Sequence, residues 1–218
     1  IPGKSIFAIS VPLLAKAWEE QDFKQIQTLY EKSSINQLIF GGVLFLCIWV
    51  NIDDVFSLLP LKFSFGKWVV LFIGLAQLFS MSSGLNGAII VNSSYYKYDL
   101  VTNILLVFIT LLTNYIFIPI YGINGAAMAT ALSVFLFNFI RLVLIKVKMK
   151  MHPFSLKTIY TVIILCVIYF LVNFLPLIGN VYFDIFWKSV LIIMMYIPAV
   201  LYFNLSEDIN KLIIEVRK

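Results

Sequence analysis

The sequence predicts an all-α membrane protein: a polytopic helix bundle with six full transmembrane helices and the end of a preceding one. Three observations carry this expectation. Of 218 residues, 61% are hydrophobic and only 12% charged, whereas a soluble domain is about half apolar and about a quarter charged. The mean hydropathy is +0.98. Six stretches meet the length of about 20 mostly apolar residues that a helix needs to cross the hydrocarbon layer. Backbone groups in lipid must be satisfied within the segment, and these runs are too long and continuous for barrel strands, so helix is the assignment. The same numbers exclude a soluble enzyme, and they exclude disorder, which requires low hydrophobicity with high net charge.

The elements follow in chain order. The first methionine is Met81 and no signal-peptide pattern opens the chain, so a piece of a longer protein lacking its N-terminal part is expected. Residues 5–15 read as the end of a transmembrane helix. Residues 17–33 carry Glu19, Glu20, Asp22, Lys24, Glu31 and Lys32 among Trp18, Phe23, Ile26, Leu29 and Tyr30 at helical spacing. That pattern predicts an amphipathic helix on the membrane surface or against the bundle, so residues 1–34 form a helix end and a connector. Spans are expected at 35–52, 68–91, 99–118 and 122–145, which make residues 35–145 a four-helix unit. Residues 146–218 add a basic loop, two further spans at 157–175 and 187–205, and an amphipathic tail. The tail aligns Ile209, Leu212, Ile213 and Val216 on one side. Residues 92–98 and 119–121 are expected as tight turns, and 51–67 and 176–186 as modest outer loops. No extramembrane domain is expected, which argues against a receptor ectodomain or a soluble nucleotide-sugar site.

Orientation follows from the cations. With residues 16–34 in the cytoplasm, only Lys62, Lys67 and Lys188 of the 16 lysines and arginines fall outside, and Lys4 is unassigned. Cytoplasmic loops carry the excess of Lys and Arg, so connector and C-terminus are expected inside. The formal charge of +5 is then explained by the anionic inner leaflet facing residues 146–157, with no need of nucleic acid.

Catalytic chemistry finds no support. His152, the single histidine, sits in the basic loop before Pro153 and reads as a solvated residue. Asp53 and Asp54 resemble the start of an aspartate-rich diphosphate motif, but Val55, Phe56 and Ser57 follow, and the pair reads as a solvated outer loop. Cys47 and Cys166 lie in apolar runs and build neither a disulfide framework nor a metal site. No phosphate loop or nucleophile motif is present. Neither an enzyme nor a cofactor is expected.

What remains within the spans is polar and mostly uncharged. Gln77, Ser80, Ser82, Ser83, Asn86, Asn92 and Ser93 form a strip, with Gly84 and Gly87 allowing close helix contact or a kink. Asn103, Thr110, Thr113 and Asn114 recur in the next helix, then Asn124, Thr130, Ser133 and Asn138. Two readings stand. These side chains are interhelical glue worth about 1 kcal/mol or less per bond, or some of them line a hydrated cavity for a polar solute. Gln77, Asn86, Asn103 and Asn114 are the candidates for solute contact. Arg141, near its helix end, either snorkels to the inner interface or joins that site. Lys4 stands roughly 18 Å of helix above Lys16, so it either meets an anion within the bilayer or follows a helix end at Pro2–Gly3.

Asn114-Tyr-Ile-Phe-Ile-Pro119-Ile-Tyr-Gly122-Ile-Asn124-Gly125-Ala126-Ala127-Met128-Ala129-Thr130 resembles the helix–turn–helix of the polysaccharide flippases in the multidrug/oligosaccharidyl-lipid/polysaccharide superfamily. Pro12-Leu-Leu-Ala-Lys-Ala-Trp-Glu-Glu-Gln-Asp22, with Leu29-Tyr30, is similar to that family's inner connector, and Gly84-Leu-Asn-Gly-Ala-Ile-Ile-Val91 is also similar. The resemblance covers most of residues 5–145. It implies a 12- or 14-helix transporter of two lobes about a central cavity, with this chain supplying most of the C-terminal lobe and two extra helices. It implies lipid-diphosphate-linked oligosaccharide as substrate, moved across the bacterial cytoplasmic membrane by alternating access, with membrane lipid and the protein's own N-terminal lobe as partners. Lys4 is the position it nominates for the diphosphate, and Asp99, at an inner helix end, is the nearest candidate for a coupling ion. A drug or organic-cation antiporter, which would favour an intramembrane carboxylate, and a non-transporting scaffold, which needs no cavity, are the alternatives.

Overall fold

The computed structural model describes residues 2–60, 63, 66–174 and 179–210, with side chains from Ala8 onward. Among these residues all regular structure is helical: α1 (Pro2–Glu19), α2 (Phe23–Val50), α3 (Ile52–Ser57), α4 (Gly66–Ser82), α5 (Asn86–Asn92), α6 (Lys97–Met149), α7 (Leu156–Asn173) and α8 (Val181–Tyr202). Four of them, α2, α6, α7 and α8, are long and apolar enough to cross a membrane, and the bent pair α4–α5 makes a fifth candidate.

The helix ends carry local explanations. α1 is helical from Pro2, where proline's fixed φ suits a first turn, so Pro2–Gly3 does not terminate it. Its other end is a tight turn: Gln21 adopts φ 55°, and the Asp22 carboxylate caps α2 by accepting from the Gln25 backbone N–H at 2.9 Å. The expected connector helix is therefore the first third of α2, which runs unbroken from Phe23 to Val50. α7 opens on Ser155, whose N–H donates to Thr158 Oγ1 at 3.2 Å, a capping-box arrangement. α8 opens at Asn180, whose side chain accepts from the Tyr182 and Phe183 N–H groups. It therefore begins six residues before the expected 187.

Two breaks shape the bundle. Gly84, at φ +59°, ends α4 and lets α5 leave at 45°, so the expected span 68–91 is bent. The second lies inside α6. Straight, its 53 residues would reach about 80 Å, yet Thr113 Oγ1 lies 3.0 Å from Ser133 Oγ. The helix therefore folds back on itself at Gly122, whose φ 56° and ψ −130° are not helical. Pro119 stays within the first arm. Gly125 permits the close return: a Cβ there would stand 2.1 Å from the Phe117 carbonyl oxygen. Ala129 and Ser133, both buried, continue the small-residue stripe against Thr113.

The core has two parts, both built on α2. One joins Leu14, Ala17, Ile26, Tyr30, Leu85, Ile89, Ile90 and Ile145 from α1, α2, α5 and α6. The other joins Ile35, Ile39, Leu46, Ile168, Ile192 and Tyr196 from α2, α7 and α8. Many other apolar side chains of α6, such as Leu100, Ile104, Val107 and Leu111, face outward, as a lipid-facing helix requires. Asp53 and Asp54 open the short helix α3: Asp53 is exposed, as expected, and pairs with Lys67 of α4, while the more buried Asp54 pairs with Lys188 of α8 at 2.6 Å. Of the expected tail, residues 207–210 are helical; Leu212, Ile213 and Val216 lie outside the described residues, as does Lys62.

Candidate functional site

The two arms of α6 carry polar residues at helical spacing on the faces that meet each other and α5. On the first arm, Asp99, Thr102 and Asn103 occupy i, i+3 and i+4, hence one face. On the second, Asn138 and Arg141 are three apart. Folding back at Gly122 brings the faces together. An Arg141 Nη2 donates to Asp99 Oδ1 in an ion pair, and Nε donates to Thr102 Oγ1 at 3.3 Å. Asn103 Nδ2 donates to the other Asp99 oxygen, Oδ2, at 2.9 Å. The Arg141 guanidinium carbon stands 4.1 Å from the Phe137 ring centroid, a cation–π contact.

α5 closes the site from the side. Asn86 Nδ2 donates to Asn138 Oδ1 at 3.0 Å, both side chains buried. Gly87 makes room for the arginine, because a Cβ there would stand 2.8 Å from Arg141 Nη1. The break at Gly84 aims α5 at this position, and Ser34 of α2 holds the broken end by donating to the Ser82 carbonyl oxygen. Farther along the hairpin, Thr113 and Ser133 form the next polar step.

Four of the expected site residues, Asn86, Asp99, Asn103 and Arg141, thus meet in one cluster. Arg141 is buried and pairs with the carboxylate of Asp99 in the first turn of α6. Gln77 is exposed on α4. Asn114 bonds its own helix, at the Thr110 carbonyl oxygen 2.8 Å away. Lys4 lies on the α1 backbone, but its side chain is outside the described residues. His152 is exposed, with Nδ1 2.9 Å from the Phe154 carbonyl oxygen. Sequence reasoning missed Thr102 altogether. The available signal was its place between Asp99 and Asn103 at i+3, on the face that would present a carboxylate.

Chemically, the cluster is a guanidinium held in a mostly dry site by one carboxylate, one hydroxyl and one aromatic face. It can exchange one anion for another, since a guanidinium binds carboxylate and phosphate oxygens with the same fork of donors. Among the described residues no group of three or more His, Cys, Asp or Glu side chains could hold a metal ion.

The fold and site define a helical protein with several apolar helices that suit a membrane and a part-buried ion pair between two of its helical arms. Comparison with protein-family models gives no match, and comparison with curated proteins gives none either.

Proposed function

We propose that this chain is most of the C-terminal lobe of a transporter that moves lipid-diphosphate-linked oligosaccharide across the bacterial cytoplasmic membrane. In this reading the chain spans six times, with α4–α5 as one bent span and the arms of α6 as two. The end of a preceding helix, α1, comes before them, and the C-terminus is cytoplasmic. The N-terminal lobe of the same protein is the partner against which this one rocks in alternating access.

The observation that carries the reading is the Arg141–Asp99 pair, set among Asn86, Asn138, Thr102 and Asn103 between helices broken at Gly84 and Gly122. An ionisable residue inside a membrane protein marks a substrate or ion pathway by default, because its desolvation is costly. A guanidinium suits a diphosphate. The likeness of residues 114–130 to the flippase helix–turn–helix supports the same class, with Gly122 at the fold-back. An antiporter for organic cations would need a carboxylate free to meet its substrate, whereas that of Asp99 is held by Arg141 and Asn103.

The test uses the full-length gene, with lipid-linked glycan reaching the outer leaflet as the readout. Arg141→Ala, expressed at the normal level, is expected to abolish delivery, and Arg141→Lys to retain part of it. Normal delivery by Arg141→Ala would sink the assignment of this site.

A further inference from the structure

A second feature lies between α4 and α7. α2 packs against both α4 and α7, and a groove of about 670 Å³ runs between those two with α2 as its floor. Its walls are almost wholly apolar, with Phe45 and Trp49 on the floor, Leu75 and Phe79 on α4, and Val162 and Phe170 on α7. Ser82, Thr158 and Tyr169 supply the only hydroxyls in the lining. Along α7 the groove extends from Thr158 to Phe170, which at the helical rise is about 18 Å, close to the depth of one leaflet of a layer about 30 Å thick.

Its mouth is not neutral. Phe154 and Thr158 line both the groove and a shallow depression beyond it that includes Ser155 and Leu156, and these last two also border a second depression lined by Lys157, Lys32, Glu31 and Glu207. Lys157 is half-buried, and Lys146, Lys148 and Lys150 are exposed on the same side of the bundle; none has an ion-pair partner among the described residues. The acidic residues facing Lys157 are engaged elsewhere: Glu31 accepts from Gln27, and Glu207 pairs with Lys32 at 2.8 Å.

We propose that this groove is a site for a resident anionic phospholipid of the lysine-rich leaflet, its acyl chain between α4 and α7 and its headgroup phosphate at Lys157. A concave apolar slot touches a chain on three sides, giving more dispersion contact than a flat helix face. Basic residues at the mouth select negative headgroups. The inference is independent of what the protein transports.

The full chain, reconstituted in vesicles, would be irradiated with a phospholipid carrying a diazirine on its acyl chain, with either a phosphatidylglycerol or a phosphatidylcholine head. Labelling of residues 158–170 and 71–79 is expected to exceed that of the outward face 104–112, and to be about fivefold higher with phosphatidylglycerol, the factor one well-placed lysine gives. Lys157→Gln should remove the headgroup preference, and Val162→Trp should reduce groove labelling with both lipids. Equal labelling of groove and outward face overturns the proposal. So does groove labelling indifferent to headgroup, and so does a crosslinked dimer joined through the groove.

Discussion

Replacing Asp99 with alanine leaves Arg141 facing only Thr102, the Phe137 ring and the α5 backbone at Gly87. Breaking a sealed ion pair by removing one partner costs about 3–5 kcal/mol, because the surviving charge is left uncompensated. Here the Arg141 side chain is 10% exposed and that of Asp99 26%, so water reaches part of the pair and about half that figure is appropriate, ~2 kcal/mol. Arg141→Met keeps most of the side-chain packing and leaves Asp99 with the Asn103 amide and partial solvent, so its cost is about 1 kcal/mol. The double variant carries no orphaned charge and should cost less than the sum, with a coupling energy of about 1–1.5 kcal/mol. The assay is reversible unfolding of the full chain in mixed detergent micelles, run as a double-mutant cycle. Additivity of the two substitutions within about 0.5 kcal/mol would refute the pairing and the site built on it.

Other predictions concern the fold-back and the orientation. Gly125→Ala drives a Cβ to 2.1 Å from the Phe117 carbonyl and forces the arms apart, so a loss of about 2 kcal/mol or more in the same unfolding assay is expected. Gly122→Ala meets open space but keeps φ at +56°, so its cost is that of backbone strain alone, about 1–2 kcal/mol; a larger loss than that of Gly125→Ala would contradict this ordering. Thr113→Val removes the contact to Ser133 at 3.0 Å and is expected to cost about 0.5–1.5 kcal/mol. For orientation, in a background with Cys47 and Cys166 changed to serine, Asp53→Cys should label with a membrane-impermeant maleimide in intact cells. Lys150→Cys should label only after permeabilisation, and the opposite pattern would invert the topology.

What the sequence made legible was what local rules govern. The two apolar runs 99–118 and 122–145 with a turn expected between them announced the hairpin, although the break falls at Gly122 and Pro119 stays helical. The partner of Arg141 was not legible, since the opposing carboxylate lies 42 residues away. Only the fold-back puts Asp99 within reach. The connector was misplaced for a related reason: its charges predict a separate surface helix, but no residue between Glu31 and Asn36 breaks hydrogen bonding, so α2 continues. Asp53 is exposed as its loop position suggested, but the burial of Asp54 was not legible because its partner Lys188 lies on another helix. Exposed Gln77 and buried Asn86 are both uncharged amides within apolar runs, and nothing in one strand of sequence separates a polar side chain facing a neighbour from one facing outward.

The central claim is tested most directly with purified full-length protein in vesicles bearing a fluorescent lipid-diphosphate-linked oligosaccharide in one leaflet, with access by an added glycosidase reporting movement to the other. The account predicts time-dependent movement with the native protein and its loss with Arg141→Ala, while the variant's fold and vesicle insertion remain normal. Folded native protein that moves no more of the labelled lipid than empty vesicles would contradict it.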